Sequence, residues 1–398
     1  MKILIIGGAG LMGSGTIRDL LDTMSGEIEQ LIAADSSQPR LDRLTSDLDD
    51  PRLTTRILDV ADPASLKAAL ADCDLCINGV PTFAGFQMTI FEACLEARKA
   101  YVDYGGMGVY TVKQKAMHDA FVQAGVTAVL GLGADPGMSN VLCRAAADRL
   151  DTVDKINLYW TGVKLGEGDA ALNPAYTLST ILAEYANPSQ QFLEGELREV
   201  PARQGEITLE LPLPFGSTTF MFTQHSEPLT VPFAKGIAEK GIQEMTWRLA
   251  FPKVDHDAFL GLVRSGFDDY DTPVTVPGGT VKPLDVLQAV IARNVAKQPP
   301  AESEGGFDLH FAIGEGTKNG VPTTVTVRVL GGPHPLYDDY SDAATSMNMS
   351  IGVQQILSRP QTPGVWAPEE YFEVDAYLEE VKKRHFKVEI ESRSVETV

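Results

Sequence analysis

Over residues 1–130, short apolar runs alternate with stretches that place apolar side chains on one helical face. Residues 3–6 form an unbroken apolar run, which is typical of a strand buried on both faces of a parallel sheet. Asp62 and Pro63 form a start signal for a helix, as its N-cap and first residue. Further strands are predicted over 31–34, 56–60, 75–80, 100–103 and 126–130, and further helices over 89–97 and 113–124. This alternation predicts an α/β fold with a doubly wound parallel sheet.

After about residue 150 the pattern changes to longer alternating strands, as in a mixed α+β domain. A polar loop is predicted over 298–306 and helices are predicted over 343–357 and 374–383, followed by a charged, frayed tail. The predicted strands are 156–160, 206–213, 218–222, 245–251 and 323–330, with a helix over 284–296. We therefore expect a first domain over 1–130, a second over 131–345, and a segment, 346–398, that returns to the first.

Glycines follow the first predicted strand in the spacing Gly8-x-Gly10-x-x-Gly13. In a strand–turn–helix unit the first allows a tight turn, the second lets a pyrophosphate approach the backbone, and the third lets the helix pack closely. The helix N-terminus then offers free N–H groups to the phosphates. Gly8, Gly10, Leu11, Met12 and Gly13 are therefore predicted to surround the pyrophosphate of a dinucleotide, which makes this a Rossmann domain.

An acidic residue ends the second predicted strand, about 20 residues beyond the glycines, as the dinucleotide-binding pattern requires. Asp35 would accept hydrogen bonds from both hydroxyls of the adenosine ribose, which favours NAD over NADP. The alternative is an ordinary turn aspartate. Ser36, Ser37 and Arg40 follow closely and could form a pocket for a 2′-phosphate, so NADP stays open as the cofactor.

Ligands of such a sheet bind beyond the carboxyl ends of its strands. The residues predicted at this rim are Asp59 and Val60 at the adenine, Gly79, Val80 and Pro81 at the nicotinamide ribose, and Asp135 and Pro136 after the sixth strand. Asp135 and Pro136 also suit the N-cap and first position of a helix that begins at 135–137 and runs through Met138 to Leu150. That helix is either merely well capped, or directs its N-terminus at the cofactor or at a substrate carboxylate.

The net charge of −21 argues against a nucleic-acid or anionic-membrane surface. No apolar stretch is long enough to span a membrane, and the opening run is too short for a signal peptide. Cys73 and Cys76 lie in a predicted buried strand without a second pair, so we interpret them as structural. No His, Cys, Asp and Glu cluster has metal-site spacing, so we expect no metal, and a reduced cytoplasmic protein.

With these segments in view, the chain resembles the saccharopine dehydrogenase family, in particular the branch that contains lysine 6-dehydrogenase. The blocks that carry the resemblance are the opening glycines, 74–81, 93–97 with 101–103, 131–142, 225–232 and 363–369. The resemblance implies a Rossmann domain completed by the C-terminal segment, and an α+β domain for substrate binding and dimerisation. It also implies a homodimer or dimer of dimers.

The implied activity is oxidation at the CH–NH or CH–NH₂ group of an amino acid or amine with NAD or NADP, as in oxidative deamination by lysine 6-dehydrogenase. One alternative is reductive condensation of an amine with a carbonyl using NADPH, as in saccharopine reductase or carboxynorspermidine dehydrogenase. Another is a non-catalytic NAD-binding protein. A short-chain dehydrogenase is disfavoured because no Tyr-x-x-x-Lys spacing occurs, and a methyltransferase fits the sixth strand poorly.

Three residues are catalytic candidates. Asp103 and Tyr104 follow the fifth predicted strand at the rim, where a carboxylate could hold a substrate ammonium or accept its proton. His225, in a family-like block, could titrate near neutral pH. Loop hydrogen bonding or a strand-end role are the alternatives for these residues. A basic residue for a substrate carboxylate would come from the second domain, with Arg144, Lys164, Lys235 and Arg248 as candidates.

Overall fold

The computed structural model describes residues 1–24, 28–164, 172, 174, 176–269, 272–297, 306–334 and 340–395. Its strands form a seven-stranded sheet, a nine-stranded sheet and a two-stranded hairpin. The predicted polar loop over 298–306 falls, except for Gly306, outside the described residues.

The first part of the chain builds most of the seven-stranded sheet. Its elements are β1 (Lys2–Ile6), α1 (Leu11–Thr23), β2 (Gln30–Asp35), α2 (Gln38–Leu48), β3 (Leu53–Ile57), α3 (Pro63–Ala71), β4 (Leu75–Asn78), α4 (Gln87–Ala97), β5 (Ala100–Asp103), α5 (Thr111–Lys115), α6 (His118–Ala124) and β6 (Thr127–Val129).

The remainder builds the second sheet and the return to the first. Its elements are α7 (Ser139–Asp148), β7 (Thr152–Lys164), α8 (Leu178–Ala186), β8 (Ser189–Leu193), β9 (Glu196–Val200), β10 (Ile207–Glu210), β11 (Ser217–Phe222), β12 (Glu244–Ala250), α9 (Lys253–Arg264), β13 (Val274–Val276), β14 (Gly279–Val281), α10 (Pro283–Val295), β15 (Gly306–Lys318), β16 (Val321–Gly331), α11 (Tyr340–Leu357), β17 (Gly364–Trp366), α12 (Pro368–Tyr371), α13 (Val374–Lys383) and β18 (Lys387–Ser394).

All pairings in the first sheet are parallel, in the order β17-β6-β5-β4-β1-β2-β3. The predicted doubly wound α/β fold is therefore confirmed. Alternate residues of β1 enter separate buried clusters, with Ile3 and Ile5 in one and Leu4 and Ile6 in the other. Full burial of such a side chain contributes about 1.5–3 kcal/mol, which explains the unbroken apolar run.

Local predictions in this sheet hold with small shifts. The Asp62 side chain caps α3 by accepting a hydrogen bond from the Ala64 N–H at 3.0 Å. The predicted helix over 113–124 is divided into α5 and α6. β3 ends at Ile57, earlier than predicted, so Asp59 and Val60 follow the strand instead of belonging to it.

The C-terminal segment contributes to both sheets. β17 pairs with β6 and so completes the first sheet. β18 pairs antiparallel with β16 of the second sheet, whose main order is β10-β11-β12-β7-β15-β16-β18. The prediction of a frayed tail was therefore wrong for residues 387–394, whose charged side chains alternate along an ordered edge strand.

Two helix contacts hold the sheets against each other. A Cβ on Gly314 of β15 would lie 3.1 Å from Ala146 Cβ, so α7 packs closely on the second sheet. Ser346 of α11 donates a hydrogen bond to the Met12 carbonyl of α1 at 3.0 Å, and Thr16 donates one to the Ser346 carbonyl. The described part of the chain contains no helix with the length and apolar composition of a membrane span.

Candidate active site

A cleft of about 440 Å³ lies between the carboxyl ends of the first sheet and the second sheet. The glycine turn, the end of β2 and the exit of β4 line one end of it. Side chains of β7, α8, β12 and β15 line the other, together with Asp135 and His225. We refer to these as the cofactor end and the substrate end.

The glycine turn is built for close contact. Gly7 has φ +76°, and a Cβ there would lie 2.7 Å from the Gly79 carbonyl oxygen; one on Gly13 would lie 2.5 Å from the Gly7 oxygen. Gly10, Leu11, Met12 and Gly13 line the cleft at the N-terminus of α1. Gly8 does not line the cleft, and a Cβ there would lie 3.0 Å from Ala33 Cα, so its predicted contact with the pyrophosphate stays a prediction.

Asp35 lies at the end of β2 and lines the cleft, and its carboxylate is buried. It accepts hydrogen bonds from the Ser37 N–H at 3.0 Å and from Arg40 Nη2 at 2.8 Å. Arg40 also lines the cleft, and more than half of its side chain is exposed. A carboxylate for ribose hydroxyls and a guanidinium for a 2′-phosphate therefore lie side by side.

The other predicted cofactor contacts divide into two groups. Gly79, Val80 and Pro81 line the cleft. Asp59 and Val60 do not line the cleft, since β3 ends before them. Asp59 instead accepts a hydrogen bond from the nearby Ala61 N–H at 2.9 Å.

Tyr104 braces the glycine turn. Its ring lines the cleft, but its hydroxyl donates a hydrogen bond to the Met12 carbonyl at 3.1 Å and contacts Thr16 Oγ1 at 2.7 Å. Burial raises the pKa of this phenol. The hydroxyl is therefore occupied in structural bonds, which does not support the predicted catalytic role.

Asp103 lies beneath the rim and does not line the cleft. The carboxylate is 1 % exposed and accepts five hydrogen bonds. The donors are Gln87 Nε2, Tyr101 Oη, Gln114 Nε2, and the N–H groups of Gly105 and Gly131, at 2.6 to 3.0 Å. Burial raises the pKa of this carboxyl group, and the hydrogen bonds oppose that shift. The geometry gives Asp103 a role in holding the loops at the rim, in place of the predicted contact with substrate.

The turn after β6 differs from the prediction of a capped helix. Asp135, Pro136 and Gly137 have non-helical backbone angles, the Asp135–Pro136 peptide bond is cis, and α7 begins only at Ser139. Pro136 does not line the cleft. Asp135 does, and its carboxylate turns to the second sheet because it pairs with His310 there.

His310 is an unpredicted residue of the site. Its Nδ1 lies 2.5 Å from Asp135 Oδ2, and its Nε2 lies 2.7 Å from Asp308 Oδ2. Burial disfavours the imidazolium, but the two carboxylates outweigh it and raise the pKa of His310 to about 10. A cation is therefore held between two acids. The pattern Asp308-x-His310 within an apolar strand places two titratable groups on one buried face, and that signal could have identified them.

His225, one of the predicted catalytic candidates, lines the substrate end and stacks on Trp247 with ring centroids 4.1 Å apart. Its Nδ1 pairs with Glu227, whose other carboxylate oxygen accepts a hydrogen bond from Ser139 Oγ at 2.7 Å. Burial disfavours the charged ring, but Glu227, with Asp135 and Glu184, raises the pKa of His225. Since Nδ1 is occupied, Nε2 is the nitrogen left for a ligand.

Glu184 of α8 is a second residue that the sequence did not reveal. It lines the substrate end and pairs with the Tyr176 hydroxyl at 2.5 Å. Burial raises the pKa of Glu184 to about 7. The indole of Trp160 and the ring of Trp247 add aromatic walls at this end.

Three of the four predicted basic residues, Arg144, Lys235 and Arg248, do not line the cleft. Arg144 pairs with Asp148 and donates to the Lys235 carbonyl, and neither Arg144 nor Lys235 lines the cleft. Arg248 lies on the opposite face of the second sheet, 4.2 Å from the Phe222 ring centroid. The side chain of Lys164 is outside the described part of the chain.

Within the described ranges, no group of three or more His, Cys, Asp and Glu side chains could hold a metal ion. The observations fit a dinucleotide instead: glycines leave the α1 N-terminus accessible, and Asp35 ends β2. The fold and this end of the cleft define a nicotinamide-dinucleotide-dependent oxidoreductase.

Comparison with protein families identifies the chain more closely. Residues 3–129 match the saccharopine dehydrogenase NADP binding domain, and residues 133–386 match the saccharopine dehydrogenase C-terminal domain. The protein belongs to the saccharopine dehydrogenase family, as the sequence resemblance implied.

Similar proteins include the carboxynorspermidine synthase of Vibrio alginolyticus, 26% identical over 345 residues that cover 81% of this chain and 78% of that protein. The carboxyaminopropylagmatine dehydrogenase of a Synechocystis species is 26% identical over 148 residues, which cover 35% of this chain and 36% of that protein. The structure of saccharopine dehydrogenase (L-Glu forming) from Saccharomyces cerevisiae superposes with a TM-score of 0.74. It is 14% identical and covers 98% of this chain and 99% of that chain, which shows a shared fold.

Proposed function

We propose that the protein joins an amine to an aldehyde or ketone by reductive condensation, using NADH or NADPH. The similar proteins support this alternative over lysine 6-dehydrogenase-like deamination. The names carboxynorspermidine synthase and carboxyaminopropylagmatine dehydrogenase both describe an enzyme whose compound is an amine that carries a carboxyl group. The amine is the substrate that the cleft recognises.

The charge of the substrate end carries the proposal. Three carboxyl groups line it, those of Asp135, Glu184 and Asp308, and Glu227 lies directly behind His225. Arg40 is the one Lys or Arg side chain among the described lining residues, and it lies at the cofactor end. Two histidines with raised pKa, His225 and His310, offset part of this charge, and the remaining excess of carboxyl groups attracts an ammonium group and repels a carboxylate. An amine therefore fits this end better than the carboxylate for which the sequence offered basic residues.

Asp135 is placed to receive the reacting amine. Its Oδ2 is held by His310, whereas its Oδ1 is buried and accepts no hydrogen bond from the described part of the chain. An ammonium group would satisfy that oxygen, and transfer of its proton would leave a neutral amine that can attack a carbonyl carbon. His310 keeps Asp135 oriented because both of its ring nitrogens face carboxylates.

His225 is placed to act on the carbonyl oxygen. Glu227 holds the ring and raises the pKa of His225, which favours the imidazolium with a proton on Nε2. Attack by the amine and loss of water give a C=N bond, for which His225 supplies the proton that the departing oxygen needs. When bound, the nicotinamide supplies the hydride that reduces this bond to a secondary amine.

The proposal is tested by absorbance at 340 nm with NADH and NADPH. Reduced cofactor should be consumed only when a diamine and an aldehyde- or keto-acid are supplied together. Production of NADH from NAD and lysine alone would establish oxidative deamination instead. Cofactor binding without turnover in any combination would indicate the non-catalytic alternative.

A homodimer formed by the second domain and a cytoplasmic location stay predictions from the sequence. Light scattering after size-exclusion chromatography tests the first: a mass of 43.0 kDa would contradict a dimer.

A further inference from the structure

Asn140, in the first turn of α7, contacts three segments that are far apart in the sequence. Its Oδ1 accepts a hydrogen bond from the Gly137 N–H at 2.9 Å, and its Nδ2 donates to Glu369 Oε2 at 2.8 Å and to Thr230 Oγ1 at 3.3 Å. The side chain is 1 % exposed. All of these contacts are therefore made inside the protein, where water does not compete for them.

Each of the three segments belongs to the substrate end or supports it. Gly137 closes the turn that carries Asp135. Thr230 ends the short helical turn Glu227–Leu229, and its N–H donates to the Glu227 carbonyl at 3.1 Å. Glu369 lies in α12, directly after the strand that completes the first sheet.

We propose that Asn140 is a positioning residue for the condensation proposed above: it sets the Asp135 turn against the block that holds His225 and Glu227. An amide suits this place because one side needs an acceptor, for Gly137 N–H, and the other needs a donor, for Glu369. Ser139, the preceding residue, adds a second tie to the same block through Glu227.

The hydrogen bond between Asn140 and Glu369 can be tested by exchanging the donor and the acceptor between the two residues. Asn140→Asp keeps the acceptor for Gly137 but places a second carboxyl group against Glu369. Two carboxylates in contact cannot both be ionised, so one must hold a proton. In Asn140→Asp with Glu369→Gln, the glutamine amide donates to the new aspartate, which restores the contact with donor and acceptor exchanged.

We expect Asn140→Asp to lower turnover about 10- to 100-fold at pH 8, the cost of a small displacement of reacting groups. The loss should shrink towards pH 6, where a shared proton rebuilds the contact. The turnover of the double variant should recover to within about threefold of that of the parent at both pH values. Glu369→Gln alone keeps an acceptor for the Asn140 amide, so its turnover should stay near that of the parent. Full activity of Asn140→Asp at pH 8, or no rescue by the swap, would overturn the proposal.

The expected pH dependence of the Asn140→Asp variant rests on Glu369. Burial and the neighbouring Glu370 raise the pKa of Glu369 to about 7. The titratable groups around Glu369 are Glu370 and Lys115, which pair with each other at 2.5 Å, Arg144, which donates to the Glu369 carbonyl at 3.4 Å, and Cys143, whose thiol lies in the field of Glu369. All of them stay unchanged across the series, so the pH dependence can be compared between variants.

The matched control is Asn157→Asp, the same chemical change on the far face of the second sheet. Asn157 Oδ1 accepts hydrogen bonds from Thr246 and Arg248, and an aspartate can accept both. Turnover should be unchanged and independent of the Glu369 substitution.

Amide hydrogen exchange gives a readout that does not need turnover. Peptides covering 225–233 and 367–372 should exchange faster in Asn140→Asp at pH 8, and the swap should slow them again. If the parent condenses no amine and carbonyl, the proposed function fails, but these exchange rates still test the positioning contact. Parent-like exchange in Asn140→Asp would overturn it.

Discussion

Asp135 and His310 join the two sheets of the protein through one ion pair, with Oδ2 and Nδ1 2.5 Å apart. Asp135 follows β6 of the first sheet, and His310 lies within β15 of the second. The substrate end therefore exists only when the two sheets are correctly packed.

His310→Gln should destabilise the protein in a pH-dependent way. The pKa of His310 is about 10 in the folded protein and about 6.5 in an unfolded chain. Its stabilisation is thus complete below pH 6.5 and is lost as the pH rises through 10. We expect the difference in Tm between parent and variant to be largest at pH 6 and smallest at pH 10, measured by circular dichroism. The control is His256→Gln, at a histidine whose pKa is lowered by burial, and its difference in Tm from the parent should be constant above pH 7. A difference in Tm for His310→Gln that does not change with pH would contradict the prediction.

Glu184→Gln should weaken amine binding. The lost charged contact corresponds to about a 10- to 100-fold higher KM for the amine at pH 8. In the parent, KM should fall between pH 6 and 8 as Glu184, with its pKa near 7, becomes ionised. In the variant that pH dependence should disappear. Glu199→Gln on the exposed β9 strand is the control; equal pH profiles for the parent and Glu184→Gln would exclude Glu184 from amine recognition.

Asp103→Asn should lower stability and turnover together. The five donors around this carboxylate cannot all be satisfied by an amide, and each unsatisfied buried group costs about 1–3 kcal/mol. We expect a loss of at least about 2 kcal/mol in urea denaturation. Asp59→Asn, at a rim aspartate that does not line the cleft, should stay within about 1 kcal/mol. A variant of native stability whose kcat alone collapses would place Asp103 in the chemistry after all.

Arg40→Ala should shift the cofactor preference towards NADH. Without the guanidinium, the Asp35 carboxylate faces a 2′-phosphate with no neutralising charge, which should reduce kcat/KM for NADPH about 10- to 100-fold. The value for NADH should change little, and Arg43→Ala on the same helix should affect neither. Asp35→Ala should raise the KM for NADH. An equal loss with both cofactors in Arg40→Ala would mean that Arg40 does not read the 2′-position.

Two Asp-Pro pairs show what the sequence could and could not predict. Both have the pattern of a helix start, and at Asp62 the side chain caps α3 as predicted. At Asp135 the carboxylate is taken by His310, and the helix starts later. Local spacing predicts a cap only where no partner distant in the sequence turns the side chain away from the helix.

The cofactor end was largely predictable because its residues are close together in the sequence and share one motif. At the substrate end only Asp135 and His225 were predicted, whereas Glu184 of α8 and His310 of β15 were missed because they come from separate elements of the second domain. The alternation of charged and apolar residues in 387–391 could have revealed β18, whereas the partner strand β16 could not be named without the fold.

The position of β17 has a consequence for the order of events during synthesis. The sheet that holds the dinucleotide gains its edge strand from residues 364–366, and β6 stays unpaired on that side while every strand of the second sheet except β18 is translated. A ribosome-bound chain therefore exposes an open strand edge beside the nascent cleft for most of its translation, a natural target for chaperones. Cofactor captured by stalled chains of increasing length would show when that edge is sealed.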